Sequence, residues 1–213
     1  MSDSLILGSN LVSFVPGVPS EDRADIMDIL LLAELQASER HSREKRWEAW
    51  ITAYIQALAN SGLRHQGLLS QPPRKITNKA AVSSEAGKLF FGIRPVRLAQ
   101  EARSALEQMF MSEHAQSYFR HSFDFSSDRS DSFQIVPCER EESGLINIAV
   151  CGLNMLTRPK PRLRPWRPVE REMVLTLRGG NFIYQQETYA RHREDVKKAL
   201  QAAGANDLQL ISI

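Results

Sequence analysis

The chain of 213 residues lacks every compact catalytic signature that can be read by eye. There is no Gly-x-Ser-x-Gly nucleophile elbow, no phosphate-cradling glycine loop and no Gly-x-Gly-x-x-Gly turn. It also lacks a long apolar run. The densest stretch, Ile26 to Leu35, is interrupted by Asp28 and Glu34 and is far too short to span a bilayer. Charge of one sign is missing too. Twenty-seven Lys and Arg face 25 Asp and Glu, a net charge of +2, so any electrostatic recognition must be local. The start, Met1-Ser2-Asp3-Ser4, has no basic region ahead of its apolar segment and does not read as a Sec signal. A soluble, cytoplasmic protein is the expectation, with export by another route left open. No motif asks for a metal or a cofactor.

Cysteine is scarce, with only Cys138 and Cys151. On adjacent strands joined by a loop centred on Glu142, Cys138 would face Ile146; a half-residue slip would set it opposite Asn147. The two sulfurs then lie on opposite sheet faces, or about 13 Å apart along the strands. Two free, partly buried thiols are expected.

What is present is periodicity. Glu172–Arg178 alternates, Gly179-Gly180 follows, and Asn181–Glu187 alternates again. Because glycine accepts positive φ freely, the spacing predicts a hairpin with Leu177 opposite Phe182. Tyr189, Val196, Ala199, Leu200 and Ala203 recur at helical spacing up to Gly204. Near the start, Leu5–Val15 reads as one strand or extended arm, ended by Pro16-Gly17-Val18-Pro19. Ser20 then caps a helix reaching about Ser38, and a second runs from about Ser42 until Gly62 stops it, with Trp47, Trp50, Ile51, Tyr54, Ile55 and Leu58 in its stripe. Their short connection predicts an antiparallel helical hairpin. Leu63–Leu69 is a weak strand, and Gln71–Ser84, with Pro72-Pro73, reads as loop. Ser84–Phe91 suits a short helix, and Pro95 suits the first position of a third long one carrying Leu98, Ala102, Ala105, Leu106 and Met109. Phe133–Cys138 and Leu145–Met155 form a second hairpin, and Leu208–Ile213 a last strand.

The strongest local anomaly is Arg158-Pro-Lys-Pro-Arg-Leu-Arg-Pro-Trp-Arg-Pro168. Proline favours an extended path that keeps the cations Arg158, Lys160, Arg162, Arg164 and Arg167 apart and exposed, and Trp166 can stack on a partner. Residues 158–168 therefore read either as a contact for an anionic or groove-bearing partner or as a solvated crossover loop. Of five histidines, His114 and His121, with Asp124 nearby, make the least improbable hydrolase or nuclease site. Glu139, Glu141 and Glu142 fall at a predicted hairpin tip, where solvated charge is ordinary. Trp47 and Trp50 suit the core, and the cations around them alternate with carboxylates as on a salt-bridged face.

Helices first and strands mostly later imply an α+β fold. The expected architecture, over residues 1–213 as a single domain, is an N-terminal helical hairpin (20–62) and a third long helix. They pack on an antiparallel four- to five-stranded sheet with a C-terminal helix (133–213). The segment Leu7-Gly-Ser-Asn-Leu-Val-Ser-Phe-Val15 and the last hairpin-plus-helix resemble small bacterial proteins, some encoded beside toxin genes; the resemblance carries over no residue role. Together these features imply a non-enzymatic interaction protein, an accessory of a larger bacterial assembly or toxin system. A protein partner or a second copy of the chain is the expected company, an anionic surface is reachable through residues 158–168, and nucleic acid is disfavoured.

Overall fold

The computed structural model describes residues 3–76, 85, 88–111, 129–159, 171–205 and 211–212. In chain order the elements are β1 (Asp3–Leu7), β2 (Asn10–Phe14), α1 (Ser20–Arg40), α2 (Trp47–Asn60) and β3 (Arg64–Ile76). Then come α3 (Val96–Met111), β4 (Arg129–Arg140), β5 (Ile146–Pro159), β6 (Arg171–Tyr184), α4 (Gln186–Tyr189), α5 (Arg193–Ala202) and β7 (Ile211–Ser212). The class is α+β, as expected. The sheet is larger than expected and mixed. Among the described residues seven strands run in the order β3-β6-β5-β4-β2-β1-β7, antiparallel throughout except for the parallel pair β2–β4. A parallel pair needs a long crossover, and everything from α1 to α3 lies between those two strands.

Alternation along the strands builds two cores. On one face Val12, Phe14, Val136, Cys138, Ile148, Val150 and Phe182 pack with α1, α2 and α5. On the other, Ile135, Cys151, Leu153, Met155, Met173, Leu175 and Leu177 pack with α3 and the turn at Leu89–Ile93. α1 buries a wide apolar stripe because it touches both α2 and α5. Ile26, Ile29, Leu30 and Ala33 are fully buried there, and Trp50 stacks on Tyr54 at 5.2 Å between ring centres. Ser20 is the first helical residue rather than the cap; Pro19 holds the capping position.

Two turns exchange places relative to the sequence reading. Gly179-Gly180 is no turn: β6 runs straight through it, between β5 and β3, with Gly179 opposite Cys151 and Gly180 opposite Val150. A Cβ at Gly179 would collide with the Val150 carbonyl oxygen, so close strand approach selects glycine here. The true tight turn is Gly8-Ser9, inside the expected first strand. Gly8 has φ +58°, and Leu7 pairs with Asn10. Pro72-Pro73 also falls within a strand. β3 is an edge strand, where a missing N–H costs no ladder bond, and its register shifts between Gln71 and Arg74. The hairpin at Glu141–Gly144 is present, with Gly144 at φ +86°. Its register sets Cys138 opposite Ile148 and Ile135 opposite Cys151, so both thiols are free and buried on opposite faces. Tyr189 belongs to α4, separate from α5.

Candidate interaction surface

Two buried polar clusters are the first places to seek chemistry, and both tie elements together. In the first, the Glu34 carboxylate accepts from the Ser9 backbone N–H and from Asn10 Nδ2 at 2.8 Å, and Arg43 approaches it at 3.4 Å. The Ser9 hydroxyl lies 2.8 Å from Glu34 and 2.7 Å from the Gln134 amide oxygen, and Tyr54 donates to Asn10 Oδ1 at 2.8 Å. This joins the Gly8-Ser9 turn to α1, α2 and β4. In the second, Arg193 grips Asp25 with Nε at 3.1 Å and Nη2 at 2.6 Å. Tyr184 donates to Asp25 at 2.7 Å and lies 3.2 Å from Asp22. This fastens α5 and β6 to α1. Burial, followed by the contact with Asp25, holds the Tyr184 phenol far above its ordinary range. Burial alone does the same to the Cys151 thiol and dominates at Cys138, so both stay protonated and are poor nucleophiles.

The remaining candidates are distributed. Glu139 pairs with Arg97 at 3.3 Å, and Glu141 accepts from Ser143 and Asn147. His65 packs its ring against Phe182. Trp47 and Trp50 are core residues. Among the described residues no group of three or more His, Cys, Asp and Glu is placed to hold a metal. His114, His121 and Asp124 lie outside the described residues, as do Lys160, Arg162, Arg164, Trp166 and Arg167.

Arg158 is described, and its surroundings differ from the rest of the sheet. The helical pair covers the ribbon of β5 and β6 as far as Gly152, where an added Cβ would meet Ile51 Cδ1 at 2.6 Å. Past that point alternation puts Asn154, Leu156 and Arg158 of β5, and Thr176, Val174 and Glu172 of β6, on the same face. Leu156 is 41% exposed there, while Leu153, Met155, Leu175 and Leu177 behind it are buried. Arg158 donates to Glu172 at 3.0 Å and Lys75 of β3 reaches the other oxygen at 3.4 Å. The Glu172 side chain is only 6% exposed, against 48% for Arg158 and 63% for Lys75. Loss of water raises the Glu172 carboxyl, but the hydrogen bonds from Arg158 and Lys75 outweigh it, and the group stays below its ordinary value. Two exposed cations thus share one anion at the strand end from which residues 160–170 depart. Lys75 and Leu156 went unnoticed in the sequence; Pro-Pro-Arg-Lys is itself an edge-strand signal.

No protein-family model matches the chain, and no curated protein matches it. Among solved structures, a delta-endotoxin aligns at 11% sequence identity with a TM-score of 0.46, covering 84% of this chain and 85% of that chain. That likeness is too distant to bear on a residue or a role. Among the described residues no helix is long and apolar enough to cross a membrane.

Proposed function

We propose that the protein is a non-enzymatic interaction protein, an accessory component of a larger bacterial assembly or toxin system. Its contact surface is the uncovered end of the β5–β6 ribbon together with the basic connection that follows. Arg158, Lys160, Arg162, Arg164 and Arg167 supply charge to an anionic partner, and Trp166 supplies an amphipathic anchor. The observation that carries this reading is the pairing at Glu172. One nearly buried carboxylate is shared by the exposed cations Arg158 and Lys75, beside the exposed Leu156, which leaves net positive charge around an apolar spot. Such a combination suits the rim and centre of a contact surface.

The test uses elution from immobilised poly-L-glutamate. Combined Arg162→Gln, Arg164→Gln and Arg167→Gln should elute at clearly lower salt, because counterion screening acts on exposed charge. The thermal midpoint should barely move, since exposed charges contribute little to stability. Elution at unchanged salt would overturn the reading.

A further inference from the structure

We propose that the outer edge of β3 takes an extended, acidic segment of a protein partner as an added strand. This rests on the reading that this end of the sheet meets an anionic partner, and specifies the form in which it does so. β3 is the first strand of the sheet, and among the described residues its neighbour is β6 on one side only. Two register shifts, at His65/Gly67 and at Gln71/Arg74, divide it. Between them Gly67–Gln71 stays in continuous register with Asn181–Leu177. In a regular ladder, alternate backbone N–H and C=O groups of that window face away from β6, and among the described residues no other strand pairs with them. Leu68 sits in the window at 73% exposure. Edge strands left as they are invite pairing, and prolines or bulges are the usual guards. Here Pro72-Pro73 and the two shifts flank the window, so they confine pairing to its few residues.

Charge selects the occupant. Residues 64–76 contain Arg64, Arg74 and Lys75 and no carboxylate. Among the described residues the anions nearby are already shared. Glu85 lies between Arg74 at 4.0 Å and Lys88 at 2.7 Å, and Glu172 lies between Lys75 and Arg158. A second copy of this edge would bring like charges together, whereas an acidic strand would meet the surplus.

The probe is a dye-labelled, capped peptide of alternating valine and threonine flanked by glutamates, followed by fluorescence anisotropy with the full chain. Binding should weaken about tenfold or more when alternate peptide amides are N-methylated, because two or three backbone hydrogen bonds are lost. Leu68→Asp, at an exposed site, should weaken it comparably by placing an anion in the window. No anisotropy change, or equal binding by the N-methylated peptide, would overturn the edge proposal. If that equal binding is nonetheless lost with Arg162→Gln, Arg164→Gln and Arg167→Gln, the basic connection stands as the contact and the edge does not. Loss on N-methylation with no effect of the arginine changes puts the contact at the edge and takes the basic connection out of it.

Discussion

The two halves of the β5–β6 ribbon share strands and register but not surroundings. From Ile146 to Gly152 and from Arg178 to Tyr184, α1 and α2 pack on one face and the α3 side closes the other. From Leu153 to Pro159 and from Arg171 to Leu177, the α3 side is still dry while the opposite face carries Leu156, Val174, Arg158 and Lys75 at or near the surface. Length accounts for the difference. The 14 residues of α2 rise about 21 Å and the 21 of α1 about 31 Å, whereas the 14 residues of β5 extend about 47 Å. A helical pair of that size cannot cover the whole ribbon. The covered half is the more deeply buried of the two, and the overhanging half keeps Leu156, Arg158 and Lys75 exposed.

The largest expected effect falls in the covered half, at the point of closest strand approach. Gly179→Val should cost about 3 kcal/mol or more, because the new Cβ cannot coexist with the Val150 carbonyl and the ladder must shift. An unmoved denaturation midpoint would show that β6 does not run straight through Gly179-Gly180. Leu30→Ala, at a fully buried position of α1, should cost about 2–5 kcal/mol in chemical denaturation. A loss below about 0.5 kcal/mol would mean that this face is not packed.

A smaller effect appears with alkali. Tyr54, Tyr184, Tyr189, Cys138 and Cys151 all have raised proton affinities in the folded state, with burial the first cause in each. Their ordinary values are 10.0 for the phenols and 9.0 for the thiols. Above those values the unfolded chain releases protons that the folded chain keeps, so stability is complete below about pH 8 and falls as pH rises through 9 and 10. Thermal melts from pH 7 to 10.5 check this, and a flat or rising midpoint would contradict it. The smallest effect belongs to the overhanging half. Leu156→Ser should change stability by no more than about 0.5 kcal/mol, as exposed positions do. A loss above about 2 kcal/mol at Leu156 would show that this face is covered.

The helices were legible because their apolar spacing is long and regular: the stripes of α1, α2 and α3 and the burial of Val196 and Leu200 in α5 follow the sequence directly. Glycine was the source of the main errors. Gly179-Gly180 and Gly8-Ser9 are both compatible with a two-residue turn, and what separates them is the neighbouring group, Val150 in one case and Glu34 in the other. No local pattern announces such contacts. Pro72-Pro73 misled for the same reason, since a proline pair is loop-like unless its strand lies at an edge. The parallel β2–β4 pairing joins residues separated by more than a hundred positions and leaves no periodic trace. Of the proposed surface, the cations and Trp166 were visible as composition. Lys75, Leu68 and Leu156 became candidates only when the sheet order put them at its open end and edge.

If the overhanging half and its basic connection face outward to a partner, Trp166 reports on it directly. Trp47 and Trp50 are buried, at 5% and 0% exposure, so acrylamide should not reach them in the folded chain. The wild-type protein should then show a red-shifted, quencher-accessible fraction of tryptophan emission, and Trp166→Phe should abolish that fraction. Wild-type emission that is wholly blue-shifted and inaccessible to acrylamide would contradict the outward-facing contact, and the connection would then be a structural crossover packed on the sheet.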